Sequence, residues 1–289
     1  SMENYDVYRD ISERTNGDIY IGVVGPVRTG KSTFIKRFME ELVIPNIKNE
    51  HNKERTQDEL PQSGDGKMIT TTEPKFIPNE AIPIAIGGDF EVKVRMIDCV
   101  GYMIPDADGQ MYEEHPRMVK TPWFEEEIPF SQAAEIGTKK VITDHSTIGI
   151  VITTDGSFTE FERDDYVEAE ERVISELQSL GKPFIVVYNT KRPYDAQTIE
   201  AAEELTSRYN VPVVPMDVAQ IKIDDIHALL ERVLYEFPLN EIQFVFPRWV
   251  EALDLGHWIM GQLIGAVKEF IYPLENIRQV KNSLENFRN

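Results

Sequence analysis

A glycine-rich turn near the N-terminus carries the residue types best suited to chemistry. Residues 25–32 read Gly-Pro-Val-Arg-Thr-Gly-Lys-Ser and fit the pattern G-x-x-x-x-G-K-[S/T] without a mismatch. In this pattern, inward-facing backbone N–H groups hold phosphate oxygens, the lysine lies beside the β and γ phosphates, and the hydroxyl binds Mg²⁺. The residues predicted to bind a nucleotide here are Gly25, Val27, Arg28, Thr29, Gly30, Lys31, Ser32 and Thr33.

The segments on either side of the turn support this interpretation. Residues 19–24 form an apolar run typical of a buried strand, and residues 34–42 have the apolar spacing of a helix. The alternative is a chance match in a loop, which would not require a strand before the turn and a helix after it. The predicted helix also directs its positive end at the phosphates.

A second motif, Asp98-Cys-Val-Gly101, ends a predicted strand farther along the chain. The aspartate can reach Mg²⁺ through water, and the glycine N–H can meet the γ-phosphate. A simple turn is the alternative, but the order of the two motifs favours the functional interpretation. Tyr102 stands where many small GTPases hold a water-orienting glutamine, so hydrolysis is expected to be slow or to need another group.

The polar stretch at 45–67 is predicted to be a long functional loop, and three consecutive threonines, residues 70–72, follow it. Loops that sense the γ-phosphate offer a threonine hydroxyl to Mg²⁺ and a backbone N–H to the phosphate. We therefore predict catalytic roles for Thr71 and Thr72, with Thr72 joining Ser32 and Asp98 as metal ligands. The alternative is that the three threonines have no catalytic role and simply favour a strand.

The choice of base follows from the segment Asn189-Thr-Lys-Arg-Pro193. G-protein-like domains carry N-K-x-D here, and its aspartate accepts hydrogens from guanine. That position holds Arg192 when the motif is read from Asn189, or Pro193 when it is read one residue later. Neither side chain is an acceptor, and its loss costs guanine discrimination. We therefore predict that Asn189, Thr190 and Arg192 surround adenine, which makes ATP the nucleotide.

Arg28, inside the phosphate turn, is a further candidate catalytic residue. The turn resembles that of guanylate-binding proteins and atlastins, which carry an arginine at the same place. In those families the arginine is similar to a finger supplied in cis after self-association. The alternative is a surface arginine paired with a local carboxylate.

Composition limits the function classes. The chain has 289 residues, of which 41% are hydrophobic, and a formal net charge of -20. A surface this acidic argues against nucleic acid or acidic lipid as a nonspecific partner. No apolar run is long enough to predict a transmembrane segment. Cys99 is the only cysteine, which excludes an internal disulfide, and the five histidines lack metal-ligand spacing.

Strand and helix signals alternate up to residue 238, which predicts right-handed crossovers and a mostly parallel sheet. We predict a three-layer α/β P-loop NTPase domain of G-protein-like type at 3–238, and the start of a second, truncated α+β domain at 239–289. The second part has a predicted strand at 241–246 and a helix at 255–270. Its Trp249 and Trp258 are expected in a core or on a partner surface.

Several runs resemble the stage IV sporulation protein A family, the spore-coat morphogenetic ATPases of endospore-forming bacteria. They are residues 25–33, the threonines before Glu73-Pro-Lys-Phe76, residues 98–102, residues 146–156 and residues 166–172. The resemblance covers the whole chain as the N-terminal part of a longer protein. It implies Lys31 as the phosphate lysine, Thr71 and Thr72 as sensor threonines, and Asp98 as the metal aspartate.

The resemblance also implies a biological setting. ATP hydrolysis would drive polymerisation of the protein with itself into the basement layer of the coat, in the mother-cell cytosol at the outer surface of the forespore. Expected partners are a small amphipathic membrane-anchoring peptide and another coat-assembly protein. Turnover is expected to change the shape of residues 45–72 and 102–145. A regulatory GTPase switch and a nucleotide-locked scaffold without turnover are the alternatives.

Overall fold

The computed structural model describes residues 2–61, 74–86, 90–105, 111–112, 115–239, 244–254 and 256–288. The strands are β1 (Asp18–Val24), β2 (Lys75–Ile86), β3 (Phe90–Asp98), β4 (Met111–Tyr112), β5 (His115–Pro116), β6 (Met118–Thr121), β7 (Phe124–Pro129), β8 (Ile148–Thr154), β9 (Phe184–Asn189) and β10 (Val213–Met216). The α-helices are α1 (Met2–Arg14), α2 (Lys31–Phe38), α3 (Glu50–Glu59), α4 (Phe130–Lys140), α5 (Arg163–Leu180), α6 (Ala196–Tyr209), α7 (Ile223–Leu234), α8 (Arg248–Glu251), α9 (Trp258–Ile271) and α10 (Ile277–Arg288).

A six-stranded sheet, in the order β10-β9-β8-β1-β3-β2, is the centre of the unit that spans Ser1–Val233. All neighbouring pairs are parallel except β2 and β3. Every residue of β8 and β9 is buried, so both faces of the sheet are covered there. α5 contacts β8, and α2 contacts β1 and β3. The predicted α/β class and mostly parallel sheet are confirmed.

The strand register brings the functional segments to one edge of the sheet. Val23 of β1 pairs with Asp98 of β3, and Asn189 of β9 pairs with both Thr154 and Met216. Because parallel strands end on the same side, the loops that follow them meet there. β1 lies between β3 and β8, so this edge contains a topological switch point, where open α/β sheets bind ligands.

Helix α3 corrects the prediction of an irregular loop over residues 45–67. The helix begins after Asn49, whose side chain accepts a hydrogen bond from the backbone N–H of Asn52 at 3.0 Å. Thr56 is its only buried residue, so the sequence has no apolar periodicity to reveal it. The N-cap asparagine was the available signal.

The described part of residues 102–129, a stretch without clear apolar periodicity, contains four short strands. They form two antiparallel pairs, β4 with β5 and β6 with β7. β7 is mostly exposed and rich in glutamate, so it lacks the alternation that identifies a half-buried strand. Gly87-Gly88-Asp89 is a hairpin turn signal in the sequence, and it lies outside the described residues.

The unit Leu234–Asn289 contains α8, α9 and α10 in its described part. An ion pair of 2.7 Å joins Arg278 of α10 to Glu236. Of the strand predicted at 241–246, residues 241–243 lie outside the described residues and residues 244–246 are irregular. Trp249 and Trp258 are 59% and 67% exposed, so they are surface residues of this unit.

A buried ion pair stabilises the first unit behind the sheet edge. The two terminal guanidinium nitrogens of Arg163 donate to Glu170, at 3.0 and 2.7 Å. The Tyr209 hydroxyl donates to the same carboxylate at 2.7 Å. Glu170 is completely buried. Arg163 also donates to the carbonyl oxygen of Thr154, so the pair connects α5 and α6 to the end of β8.

Glu170→Ala should lower the free energy of unfolding by about 3 kcal/mol, because it leaves the Arg163 charge without its partner. Urea denaturation measures the change. Glu171→Ala is the matched control, since the neighbouring glutamate pairs with Arg208 at 3.6 Å on the surface. The control should cost less than about 1 kcal/mol. Equal losses in the two variants would contradict the structural role of Glu170.

Candidate nucleotide site

The turn between β1 and α2, residues 25–30, has the conformation that its glycines permit. Gly25 has φ 140° and Gly30 has φ 94°, both in the region that favours glycine. A Cβ on Gly25 would overlap with the carbonyl oxygen of Ile152, and one on Gly30 would lie 2.5 Å from Nδ2 of Asn189. We call residues 25–32 the phosphate loop.

Hydrogen bonds within the phosphate loop hold its tip. The Thr29 hydroxyl donates to the carbonyl oxygen of Pro26 at 2.9 Å, and Nζ of Lys31 donates to the same oxygen at 2.8 Å. Lys31 is therefore folded back over the loop, with 7% of its surface exposed. Its charge lies where the sequence motif predicts a phosphate.

The segment after Asp98 is joined to the phosphate loop through the backbone. The Val27 N–H donates to the carbonyl oxygen of Tyr102 at 2.9 Å, and the Tyr102 N–H donates to that of Gly25 at 3.1 Å. Gly101 has φ 86°, and a Cβ there would overlap with the Gly25 carbonyl oxygen. The two motifs predicted from the sequence are therefore in direct contact.

Ser32 and Asp98 are in contact, as expected for a shared metal. The Ser32 hydroxyl donates to Oδ2 of Asp98 at 3.1 Å. Burial raises the pKa of the Asp98 carboxyl, and the Lys31 ammonium opposes that shift. Burial lowers the pKa of Lys31, opposed by the nearby Cys99 and Asp98. Each charge is poorly solvated and is stabilised in part by the other.

The donor set fits a hard divalent cation. Within the described residues, no group of three or more His, Cys, Asp or Glu side chains could hold a metal. Mg²⁺ needs no such cage, because it binds through one or two protein oxygens, water and substrate phosphates. Ser32 and Asp98 are the oxygens placed to hold it. The predicted third ligand, Thr72, and the sensor Thr71 lie outside the described residues and stay predictions.

Arg28 has an unusual backbone, with φ 63° in the left-handed region. The hydroxyl of Tyr166, a buried residue of α5, donates to the Arg28 carbonyl oxygen at 3.2 Å and lies 2.9 Å from the Thr159 hydroxyl oxygen. This contact helps to hold the Arg28 backbone in the left-handed region. The sequence does not predict this contact, because Tyr166 reads as one more apolar position of a helix.

Tyr102 does not direct its ring into the phosphate loop. The ring is 4% exposed and packs in the core with α5, and the guanidinium of Arg172 lies 5.6 Å from its centroid. Arg172 in turn forms an ion pair with Glu135 of α4. The backbone of Tyr102 hydrogen-bonds to the phosphate loop. Its side chain packs beside Arg172, which joins α5 to α4.

The predicted base segment, residues 189–193, is shaped by its own side chains. Nδ2 of Asn189 donates to the carbonyl oxygen of Thr29 at 2.9 Å, which ties this segment to the phosphate loop. The Thr190 hydroxyl donates to Oδ2 of Asp155 at 2.6 Å and accepts from the Arg192 N–H at 3.1 Å. The Arg192 side chain is exposed. Asn189 and Thr190 therefore use their polar groups to build the loop.

Comparison with known proteins gives the family. The model of the ATPase domain of stage IV sporulation protein A matches residues 2–238, and that of the middle domain of the same protein matches residues 239–289. The chain belongs to the stage IV sporulation protein A family. Its first unit is thus an ATPase-type domain of a sporulation family, as the resemblance implied. The two family matches meet between residues 238 and 239, and the compact units divide after Val233.

Curated relatives agree with the family assignment. The chain is 51% identical to stage IV sporulation protein A of Bacillus anthracis and of Bacillus subtilis, over 99% of its length, and 54% identical to that of Clostridioides difficile over 98%. It spans 58% of the length of each relative. In the part of the chain that the structure describes, no helix is long and apolar enough to cross a membrane.

Gly101→Ala should destabilise the unit by about 2–3 kcal/mol and weaken nucleotide binding, since the new Cβ would push the phosphate loop away from the end of β3. Thermal melting and nucleotide titration measure the two effects. Gly181→Ala is the control, because Gly181 also has a positive φ, 68°, but a Cβ there meets nothing within 4 Å. It should cost about 1 kcal/mol and leave binding intact. Unchanged binding in Gly101→Ala would contradict the site geometry.

Proposed function

We propose that this chain binds Mg²⁺·ATP on the phosphate loop and hydrolyses it. One observation supports the proposal above the others: the Lys31 ammonium, the Ser32 hydroxyl and the Asp98 carboxylate converge at the carboxyl ends of β1 and β3. The family match to an ATPase domain points to the same chemistry.

Each proposed role follows from the charge and position of the group. Lys31 neutralises the β and γ phosphates, and the Gly101 N–H contacts the γ-phosphate. Ser32, Thr72 and Asp98 hold Mg²⁺, which neutralises charge that develops on the phosphate oxygens. Thr71 senses the γ-phosphate together with Thr72. The Arg28 guanidinium stabilises the transition state as a finger supplied in cis.

We further propose that turnover serves self-assembly. Residues 45–72 and 102–145 change shape on hydrolysis and expose or order a surface for polymerisation into the basement layer of the spore coat. The setting is the mother-cell cytosol at the outer surface of the forespore. The partners are further copies of the protein, a small amphipathic membrane-anchoring peptide and another coat-assembly protein. This part of the proposal is supported by the family alone.

Lys31→Ala should abolish detectable nucleotide binding, because it removes the ammonium group that lies against the backbone of the phosphate loop. Asp98→Asn should retain binding but lower turnover by about a hundredfold, since it weakens the metal site at nearly constant volume. Calorimetry and phosphate release measure the two properties. Lys36→Ala, on the same helix but outside the loop, should change neither.

The same measurements separate the alternatives. A regulatory GTPase would bind GTP far more tightly than ATP, and a nucleotide-locked scaffold would bind ATP without releasing phosphate. Turnover at the parent rate in Asp98→Asn would remove the proposed metal site.

Arg28→Gly should lower turnover by about tenfold or more while leaving ATP affinity within about twofold, because a finger acts on the transition state. Glycine is chosen since it adopts φ 63° without strain, so the backbone of the loop is preserved. Single-turnover phosphate release is the readout. An unchanged rate would assign Arg28 to the surface and not to catalysis.

A further inference from the structure

The loop that follows β10, residues 217–220, lies directly beside the predicted base segment. Met216 pairs with Asn189, and the Thr190 N–H donates to the Met216 carbonyl oxygen at 3.0 Å. The Val218 N–H donates to Oδ1 of Asn189 at 3.2 Å. The same Asn189 amide donates to Thr29 of the phosphate loop. One side chain therefore sets the distance from the phosphate loop to both of these segments.

This arrangement determines where a base can lie. A nucleotide whose phosphates occupy the loop at residues 25–32 extends along the sheet edge toward β9 and β10, because α/β sheets bind their ligands outside the carboxyl ends of the strands. A cavity of about 420 Å³ lies beside β10, and its lining includes Lys191 and Pro193 after β9, Asp217 and Gln220 after β10, and Asp225 and Leu229 of α7. A base that reached this cavity would meet the segment after β9 on one side and the loop after β10 on the other.

Two carboxylates flank these segments, and they differ in what they can still accept. Asp155 accepts from the Ser157 N–H through Oδ1 and from the Thr190 hydroxyl through Oδ2. Asp217 accepts from the Ala219 N–H through Oδ1 at 3.1 Å. Its Oδ2 accepts no hydrogen bond within the described residues. Asp217 is half-buried, so it faces the cavity with one acceptor oxygen in use and one available.

Adenine and guanine present opposite groups to such an oxygen. Adenine carries a 6-amino donor where guanine carries a 6-oxo acceptor. We propose that Asp217 is a specificity-determining residue, which accepts a hydrogen bond from the 6-amino group of adenine and repels the 6-oxo group of guanine. The acceptor that guanine needs is missing at Arg192, and an acceptor that guanine does not tolerate is present at Asp217. The inference rests on the proposed function and names the origin of its base choice.

Asp217→Asn tests the assignment, because asparagine keeps the oxygen that accepts from Ala219 and offers an amide donor in place of the second oxygen. The measurement is kcat/KM for ATP, ITP and GTP on one preparation, so the ratios do not depend on the folded fraction. ITP has the 6-oxo group but lacks the 2-amino group, and it isolates position six. The preference for ATP over ITP should fall by about tenfold or more.

Asp225→Asn is the matched control. Asp225 lines the same cavity and, like Asp217, has one carboxylate oxygen in use, because its Oδ2 accepts from the Lys222 N–H at 2.8 Å. It differs in position, since it lies in the first turn of α7 and not in the loop after β10. The Asp225→Asn variant removes the same charge and should leave the ATP-to-ITP ratio of kcat/KM unchanged. An unchanged ratio in Asp217→Asn, or an equal fall in both variants, would overturn the role of Asp217. Parent protein that binds none of the three nucleotides would instead overturn the proposed function.

Discussion

The amide of Asn189 makes the bond on which the candidate site depends most. It donates to the phosphate loop at Thr29 and accepts from the loop after β10 at Val218, so three segments distant in sequence share one side chain. Asn189 is buried, and a buried polar atom needs a hydrogen-bond partner. Both its Nδ2 and its Oδ1 have one. A shift of any one segment would leave a buried donor or acceptor unpaired, which keeps the edge of the sheet in a single geometry.

Two opposite charges, those of Lys31 and Asp98, interact at this edge of the sheet. Lys31 and Asp98 are both disfavoured by burial, which shifts the pKa of the lysine down and that of the aspartate up. Their mutual attraction offsets only part of the cost, since ions removed from water lose much solvation. A phosphate beside Lys31 and a cation beside Asp98 would supply the missing partners. In the proposed function, the phosphates and the cation would therefore lower the cost of burying these two charges.

The sequence revealed the parts whose chemistry depends on residue type. The phosphate loop, the Asp98 motif and the parallel sheet could be predicted, because each has a local pattern that only a few conformations satisfy. Helix α3 could not be read from periodicity, since it buries only Thr56. Tyr166 and Asp217 were missed for a different reason. Their roles come from tertiary contacts, Tyr166 with Arg28 and Asp217 with the edge of β10, and neither contact leaves a pattern along the chain.

Tyr102 links the phosphate loop to the helices beside it. Its backbone bonds Gly25 and Val27, so any movement of the phosphate loop acts directly on this residue. Its ring is packed beneath Arg172, which pairs with Glu135 of α4. α4 lies within residues 102–145, the segment proposed to change shape. A glutamine in place of Tyr102 would lack the ring that fills this part of the core. In the proposed function, Tyr102 would therefore connect the phosphate loop to α4, at the position where many small GTPases hold a water-orienting glutamine.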